Sequence, residues 1–445
     1  MSDLDPCVLT AKSMTVAGGE RHGYRLQFSA FYGLLCRFLV FSVLAKVSID
    51  YFMFSVSPNF GSYGVDLNGT FFSAEYWISW FVFVFSAIPL ILYSASERNP
   101  FDAAVVLVYF ATLLPTASLY WIRGAGLEYL LYCVAFWTGL AILLVAMPKW
   151  GQKPAEVPPL SLPRDTLAWV FAFILFWMFL FFLSLVPGAL EYGLGFDTVY
   201  ERRKIFGVAL GGGVLVYLVS WSAYVLVVYL IFAGRNIYFR FFALFYIVLL
   251  FFVSGDKIYL FFLLMVAFIG VVSRSGRVWL IPAGIGLASF LGSVLYRVGD
   301  VWVASIVHRF IVMNADIAFK SAEFFQDSPQ YYSYSFMSPF IPYNYSDIPS
   351  RLIGSAFFVG GDNATAGFLA DAYVNLGLLG LFPLLAFFVG LRLLLINSGG
   401  LLLIVPLFVQ IIDTPLPTAL LTGGGGLMLI NVYLVTRRSK RYRID

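Results

Sequence analysis

Residues 126–147 read GLEYLLYCVAFWTGLAILLVAM, an unbroken apolar run that contains one acid, Glu128, and no base. A run of this kind matches the roughly 20 residues that a helix needs to cross a bilayer. Similar runs recur along the 445 residues of the chain, of which 61% are hydrophobic and only 12% are charged. Soluble domains carry roughly 25% charged residues, so this composition excludes a soluble globular protein. Continuous runs, rather than alternating segments of about ten residues, predict helical spans.

The apolar runs predict an all-α fold, a polytopic transmembrane helical bundle of about twelve spans. The predicted spans are 29–54, 71–94, 101–121, 126–147, 167–187, 205–233, 238–254, 258–273, 278–296, 366–391, 399–412 and 416–436. They divide the chain into an N-terminal tail (1–28), spans one to nine (29–296), a large loop (297–365), spans ten to twelve (366–436) and a basic tail (437–445). The hairpin around 254–257 and the short span before Asp413 are also compatible with re-entrant segments.

Lys and Arg are distributed unevenly between the two sides. Of the 28, 17 fall on the side that holds both termini, 9 on the other, and Arg37 and Lys46 in span one. Because cytoplasmic loops carry the excess of positive charge, both termini are expected in the cytoplasm. The nine outer cations are Arg123, Arg202, Arg203, Lys204, Lys257, Arg297, Arg309, Lys320 and Arg351. An anionic ligand or simple solvation would explain any single one, but three adjacent cations at 202–204 favour an anion site, since they repel one another.

The loop 297–365 is too long for a simple connector. Its part from Val301 to Phe325 has an amphipathic pattern, which predicts a helix on the outer membrane boundary. The expected polar face consists of Arg309, Asp316, Lys320 and Glu323. The aromatic residues that follow suit a saccharide groove, although Tyr also forms interfacial belts in most membrane proteins. The candidate glycan contacts are Tyr331, Tyr332, Tyr334, Tyr343 and Tyr345.

The end of this loop is a candidate anion site. Asp362 and Asn363 follow two glycines just before span ten and are good N-cap residues. Backbone amides at a helix N-terminus bind anions, and Arg351 lies in the same loop, although capping alone also explains these residue types. Asp-x-Asp, the usual carboxylate spacing for a divalent ion, occurs only at 3–5, in the N-terminal tail. With 3 Cys and 2 His in the chain, no metal or other cofactor is expected.

The chain resembles the bacterial O-antigen polymerase family. The resemblance rests on about a dozen spans with both ends cytoplasmic, a large outer loop late in the chain, and the run GDNATAGFLADAYVNLGLLG at 361–380. The family typically has an Asn-x-Thr-like helix start, an aromatic residue and a Gly-x-x-Gly in this place. The turn at 254–257 is similar to the family's basic turn, with Lys257 where Arg is usual. Some members carry Arg-x10-Gly in two outer loops: Arg202 to Gly213 matches the first, and the large loop has no match.

The resemblance implies an inverting, metal-independent glycosyltransferase of the inner membrane, whose active site faces the periplasm. Its substrates would be polyprenyl-pyrophosphate-linked oligosaccharides, as both donor and acceptor, with a chain-length regulator as a further partner and no nucleic acid. The residues assigned to pyrophosphate binding are Arg202, Arg203, Lys204, Arg351, Lys257, Arg297 and Arg309, and Asn363 joins the tyrosines as a glycan contact. The first candidate for the catalytic base is His308, since its ordinary pKa of about 6.5 suits proton transfer near neutrality. The other candidates are Asp362, Asp316, Glu201 and Asp300.

Three other interpretations stay open. His308 is also explained, and more simply, as an interfacial helix residue that its neighbours satisfy. The related O-antigen ligase shares the architecture and differs in its acceptor. A transporter or flippase of lipid-linked saccharide would show internal repeats and ionisable residues near the bilayer midplane, whereas the sequence has no evident repeat and its mid-span charges are nearly confined to Arg37, Lys46 and Asp50.

Overall fold

The structure is a computed structural model. It describes residues 20–94, 100–147, 237–254, 258–326, 328–358, 364–395, 404–421, 423–426 and 428–430, with six isolated positions between 170 and 180. Over these residues the chain is all-helical and contains no β-strand, which confirms the predicted all-α class. The predicted span 205–233, most of 167–187 and the tail 437–445 lie outside this part of the chain.

The first described helices closely match the apolar runs. They are α1 (Glu20–Ser55), α2 (Ala74–Ser94), α3 (Pro100–Arg123), α4 (Leu127–Ala146), α5 (Ile237–Ser254), α6 (Ile258–Ser275) and α7 (Leu280–Arg297). The later ones are α8 (Trp302–Val307), α9 (Met313–Phe324), α10 (Pro349–Phe357), α11 (Phe368–Leu376), α12 (Leu381–Leu395), α13 (Val405–Gln410) and α14 (Leu416–Leu421). A π-helical turn, His308–Val312, joins α8 to α9 without a break.

Within the described residues, seven segments are long and apolar enough to cross a membrane, which supports a multi-pass membrane protein. They are Tyr32–Asn59, Ala74–Tyr93, Pro100–Arg123, Leu127–Ala146, Leu280–Arg297, Trp302–Phe324 and Phe368–Leu394. The apolar parts of α5 and α6 are shorter. Large apolar side chains on α1 and α2, such as Val40, Leu44, Phe81 and Phe85, are exposed, as expected for helix faces that contact lipid. The predicted number of about twelve spans is not reached in these residues.

Helix α3 lies at the centre of the bundle. It is buried along nearly its whole length and contacts α1, α2, α4, α6, α7, α9 and α13. A helix that is apolar on every side is one that other helices surround. Its few polar residues therefore face protein rather than lipid. Asp102, Ser118 and Arg123 each bond to a charged residue on another helix, whereas Thr112 and Thr116 donate to carbonyls of α3 itself.

The predicted span ten is interrupted. Helix α11 ends at Leu376, and the next residue, Gly377, has a φ of +59°, which is strained for any residue with a side chain. A tight turn over 377–380 follows, and a Cβ on Gly380 would lie 2.6 Å from the Ala372 carbonyl oxygen. Helix α12 then continues the apolar run. Hydropathy is continuous across this turn, so only the two glycines reveal it in the sequence.

Candidate functional site

The helix predicted at the outer boundary is present, but part of its polar face points into the protein. Asp316 and Lys320 are buried, with their charged atoms 2.7 Å apart. Arg123, at the end of the central helix, lies 3.7 Å from Asp316 and donates a 2.8 Å hydrogen bond to Glu323. Arg309 is exposed and instead approaches the sulfur of Met313. The contacts with Arg123 therefore explain why Asp316 and Glu323 face α3. The segment Trp302–Phe324 as a whole is apolar enough to span a membrane.

Two of the candidate catalytic residues, Asp316 and His308, are buried against neighbouring side chains. Asp316 is held in the ion-pair network with Lys320 and Arg123, and the Lys320 ammonium also lies 4.4 Å from the centre of the Phe358 ring. His308 is 3% exposed, and its ring stacks on Phe60 with the centroids 4.1 Å apart. In the part of the chain that the structure describes, the Nε2 atom of His308 has no hydrogen-bond partner. His308 therefore packs against Phe60, but its neighbours leave Nε2 without a hydrogen bond, and its role stays a prediction.

A different carboxylate, Asp371 in the first turn of α11, lies at the centre of a polar cluster. It is 7% exposed and accepts hydrogen bonds from the hydroxyls of Tyr332 at 3.1 Å and Tyr334 at 3.4 Å. The side-chain amide of Asn375, one helical turn later, donates to the same carboxylate at 3.1 Å. Because all three donors are neutral, a ligand hydroxyl can replace any of them without leaving a charge behind.

The tyrosines reach Asp371 through a strained turn. Tyr331 and Tyr332 have φ values of +49° and +56°, a left-handed conformation that bulky residues rarely adopt. Asn375 holds the turn: its carbonyl accepts from the Tyr331 amide and its side-chain oxygen accepts from the Tyr332 amide, both at 2.9 Å. Strain of about 1–3 kcal/mol per residue persists only where the surroundings enforce it, and it concentrates at functional sites.

One more hydroxyl lies close to this carboxylate. Tyr132 of α4 is buried, packs against Tyr373 with the ring centroids 5.0 Å apart, and interacts electrostatically with Asp371. Among the described residues its hydroxyl has no hydrogen-bond partner. Buried hydroxyls are normally satisfied, so a ligand hydroxyl or water between Tyr132 and Asp371 would complete the cluster.

The aromatic cluster continues toward the surface. Tyr334 contacts Tyr343 with ring centroids 5.8 Å apart, and Tyr343 contacts Tyr345 at 5.7 Å. Burial, helped by the Asp371 carboxylate, raises the pKa of Tyr332 and Tyr334 far above the ordinary value, and burial raises the pKa of Tyr343 to about 12. These phenols stay protonated at neutral pH and act as hydrogen-bond donors. The structure therefore brings together four of the five tyrosines proposed as glycan contacts.

The three predicted pyrophosphate cations in the described part of the chain, Arg351, Arg297 and Arg309, have separate contacts and share no partner there. Arg351 is exposed on α10 and lies 3.5 Å from Asp347, whose carbonyl accepts a hydrogen bond from Tyr343. Arg351 is thus linked to the aromatic cluster through two contacts, from Arg351 to Asp347 and from Asp347 to Tyr343. Arg297 contacts the hydroxyl of Tyr51, with its guanidinium 5.3 Å from the ring centre. The candidates outside the described residues are Glu201, Arg202, Arg203, Lys204, Lys257, Asp362 and Asn363.

Sequence reasoning did not assign roles to Asp371 and Asn375, although both lie in the quoted run 361–380. The signal was their spacing: residues four apart share one face of a helix, so an acid and an amide at this spacing form one polar patch. Their tyrosine partners lie about 40 positions earlier, and no local pattern connects the two segments.

Comparison with known proteins gives no assignment: no family model, no curated protein and no solved structure matches the chain. Within the residues that the structure describes, no group of three or more His, Cys, Asp or Glu side chains could hold a metal ion. The function therefore has to be argued from the geometry of the Asp371 cluster and its surroundings.

Proposed function

We propose that this chain is a bacterial inner-membrane glycosyltransferase that polymerises polyprenyl-pyrophosphate-linked oligosaccharide repeat units at the periplasmic face. The observation that carries the proposal is the buried Asp371 carboxylate, which accepts hydrogen bonds from Tyr332 and Tyr334 at the start of an apolar segment long enough to span a membrane. A carboxylate surrounded by neutral donors is suited to accept a proton from a sugar hydroxyl.

The reaction assigned to this site is a single displacement. As the acceptor hydroxyl attacks the anomeric carbon of the donor, its proton passes to Asp371, and the bond from that carbon to the pyrophosphate oxygen breaks. The lipid pyrophosphate leaves with the bonding electrons, so cations have to stabilise its growing charge. Arg351 is the described cation connected to the aromatic cluster through Asp347 and Tyr343, and the 202–204 cluster keeps its assignment to the same role.

The aromatic residues supply the saccharide surface in this proposal. Tyr331, Phe336 and Phe340 are exposed beside the buried cluster, and Tyr332 stacks on Phe336 with ring centroids 5.1 Å apart. Exposed rings bind the apolar faces of sugars, while phenol hydroxyls bind sugar hydroxyls. The unsatisfied hydroxyl of Tyr132 marks the position where an acceptor hydroxyl would bind beside Asp371.

The test uses the purified protein in a bilayer with the lipid-linked repeat unit as the only substrate and without added metal. We expect a ladder of products, and we expect Asp371→Asn to slow its formation by about 10²–10⁴-fold, the usual contribution of a general base. Asp300→Asn and His308→Gln are the matched variants, because each removes a rival base outside the cluster. If Asp371→Asn keeps full turnover while His308→Gln loses it, the assignment of the base is wrong.

One observation favours a second function, transport or flipping of a lipid-linked saccharide. Lys46 and Asp50 form an ion pair buried inside a membrane-spanning segment, and ionisable residues there are often part of a transport pathway. The same bilayer assay distinguishes the two functions, because a flippase moves the labelled lipid between leaflets and forms no ladder. The ligase is distinguished in cells: loss of a polymerase leaves one repeat on the lipid core, and loss of a ligase leaves none.

A further inference from the structure

A cavity of about 300 Å³ lies among α3, α6, α7, α13 and the helical segment Trp302–Phe324. Its walls are almost entirely apolar, with Leu107, Met265, Phe268, Ile281 and Phe310 among them. Ligand pockets in proteins start at about this volume. Several of its walls are segments long and apolar enough to cross a membrane, so the cavity lies within the depth of the bilayer.

Two wall residues of the cavity are exposed, one on α7 and one near the start of the Trp302–Phe324 segment, which places an opening between these two elements. Gly284 on one side is exposed, and a Cβ placed on it would meet only the Phe268 ring, at 3.7 Å. Ile306 on the other side is also exposed, and Ala288 is a further small residue of the wall. Since α7 is a membrane-spanning segment, this opening faces lipid hydrocarbon.

The cavity wall also contains polar residues. Asn314 and Asp413 are among those that line it. A second cavity, of about 20 Å³, shares Asn314 with the first and is lined further on by Tyr129 and by Phe368. Phe368 begins α11, three positions before Asp371. The two cavities share the wall residues Ala111, Asn314 and Ile412, so they lie side by side, and the second one reaches the first turn of the site helix.

The wall also contains an irregular element. Phe310 and Ile311 line the cavity from the π-helical turn His308–Val312. Single π-turns inside α-helices occur frequently at functional sites. Here the π-turn supplies two apolar side chains to the cavity wall between α8 and α9.

We infer that this cavity binds the isoprenoid chain of the lipid-linked glycan, with the polar end of the lipid directed to Asn314 and onward to the Asp371 cluster; the inference rests on the proposed function. Water is not stable in an apolar cavity, and an empty cavity of this size would lose packing contacts on every wall. A hydrocarbon chain entering from the bilayer satisfies both conditions. The neighbouring second cavity, which is lined by the first residues of the site helix, favours the substrate chain over a bulk phospholipid chain.

The test is photolabelling of the purified full-length protein with a diazirine-bearing geranylgeranyl phosphate, followed by identification of the labelled peptides. We expect labelling around Phe268 and Phe310 that unlabelled polyprenyl phosphate removes by competition. Ala288→Phe and Gly284→Leu fill the cavity, so each should reduce this labelling by at least about tenfold, the change expected when two or more buried methylene groups lose their site. The matched control is Gly390→Leu, an exposed glycine of α12 with open space around it.

Three results would overturn the inference. One is labelling of the exposed rings of α2, such as Phe81 and Phe85, as strong as that of the cavity. Another is labelling that both filling variants leave unchanged. The third is equal labelling by a diazirine-bearing phospholipid that polyprenyl phosphate does not displace, which would assign the cavity to a bilayer lipid. Because labelling needs no turnover, Asp371→Asn should retain it, so failure of the catalytic proposal and failure of the cavity proposal give different results.

Discussion

Replacing Lys46 with methionine should strongly destabilise the helical bundle. The Lys46 ammonium is fully buried, 2.6 Å from Asp50 and 3.2 Å from the hydroxyl of Ser118, and it lies 5.4 Å from the centre of the Trp80 ring. Removing one partner of a buried ion pair costs about 3–5 kcal/mol, because the other charge is left without compensation. Asp50 would keep the 3.2 Å hydrogen bond from Trp121, so we expect a value near the lower end, about 3 kcal/mol.

The measurement is the free energy of unfolding in mixed micelles, over a complete double-mutant cycle. Asp50→Asn alone should cost a similar amount, since it leaves the Lys46 charge buried. The double variant, Lys46→Met with Asp50→Asn, should lie within about 1 kcal/mol of the natural protein, because replacing both members of a buried pair is often neutral. The control is Arg37→Met, an exposed position of the same helix, which should change stability by about 0.5 kcal/mol at most. Additive costs in the double variant would refute the ion-pair explanation.

Three further predictions concern the site. Asn375→Ala should increase proteolytic cleavage within 331–345, because it removes the side chain that holds the strained turn; unchanged cleavage would contradict this role. Gly377→Ala should cost about 1–3 kcal/mol of unfolding free energy, the usual cost of a strained backbone, whereas Gly390→Ala should not. Burial raises the pKa of Tyr343 to about 12 in the folded protein, from about 10 in an unfolded chain. Its contribution to stability is therefore complete below pH 10 and is lost as pH rises toward 12. Tyr343→Phe should reduce the fall in unfolding free energy over this pH range, and an equal fall in both proteins would contradict the prediction.

Much of the helical framework can be predicted from the sequence. The bounds of α2 to α7 follow the apolar runs, because hydropathy measures directly what a lipid-facing helix requires. Hydropathy does not indicate which helix the others surround, and so the central position of α3 could not be predicted. Hydropathy also does not indicate the interruption of span ten, since Gly377 lies within a continuous apolar run.

The site was harder to predict, because its contacts join distant segments. The polar stripe that includes Asp316 has the pattern of a helix facing water, and only its contact with Arg123, at the end of α3, reverses that orientation. His308 was favoured on residue type alone, whereas its stacking on Phe60 is a tertiary contact. Asp371 lies within the motif at 361–380, but its role depends on tyrosines from another segment.

The ion pair of Arg392 with Asp102, 2.7 Å long and buried at one end of α3, has a consequence for how the protein is made. The two residues are 290 positions apart, so at roughly 5–20 residues per second a ribosome needs about 15 to 60 seconds to travel from one to the other. During that interval Asp102 is already in the translocating chain, while its guanidinium partner does not yet exist. The hydroxyl of Tyr93, nine positions earlier, donates a hydrogen bond to the same carboxylate. A hairpin of α2 and α3 can therefore keep the Asp102 carboxylate hydrogen-bonded until Arg392 has been synthesised.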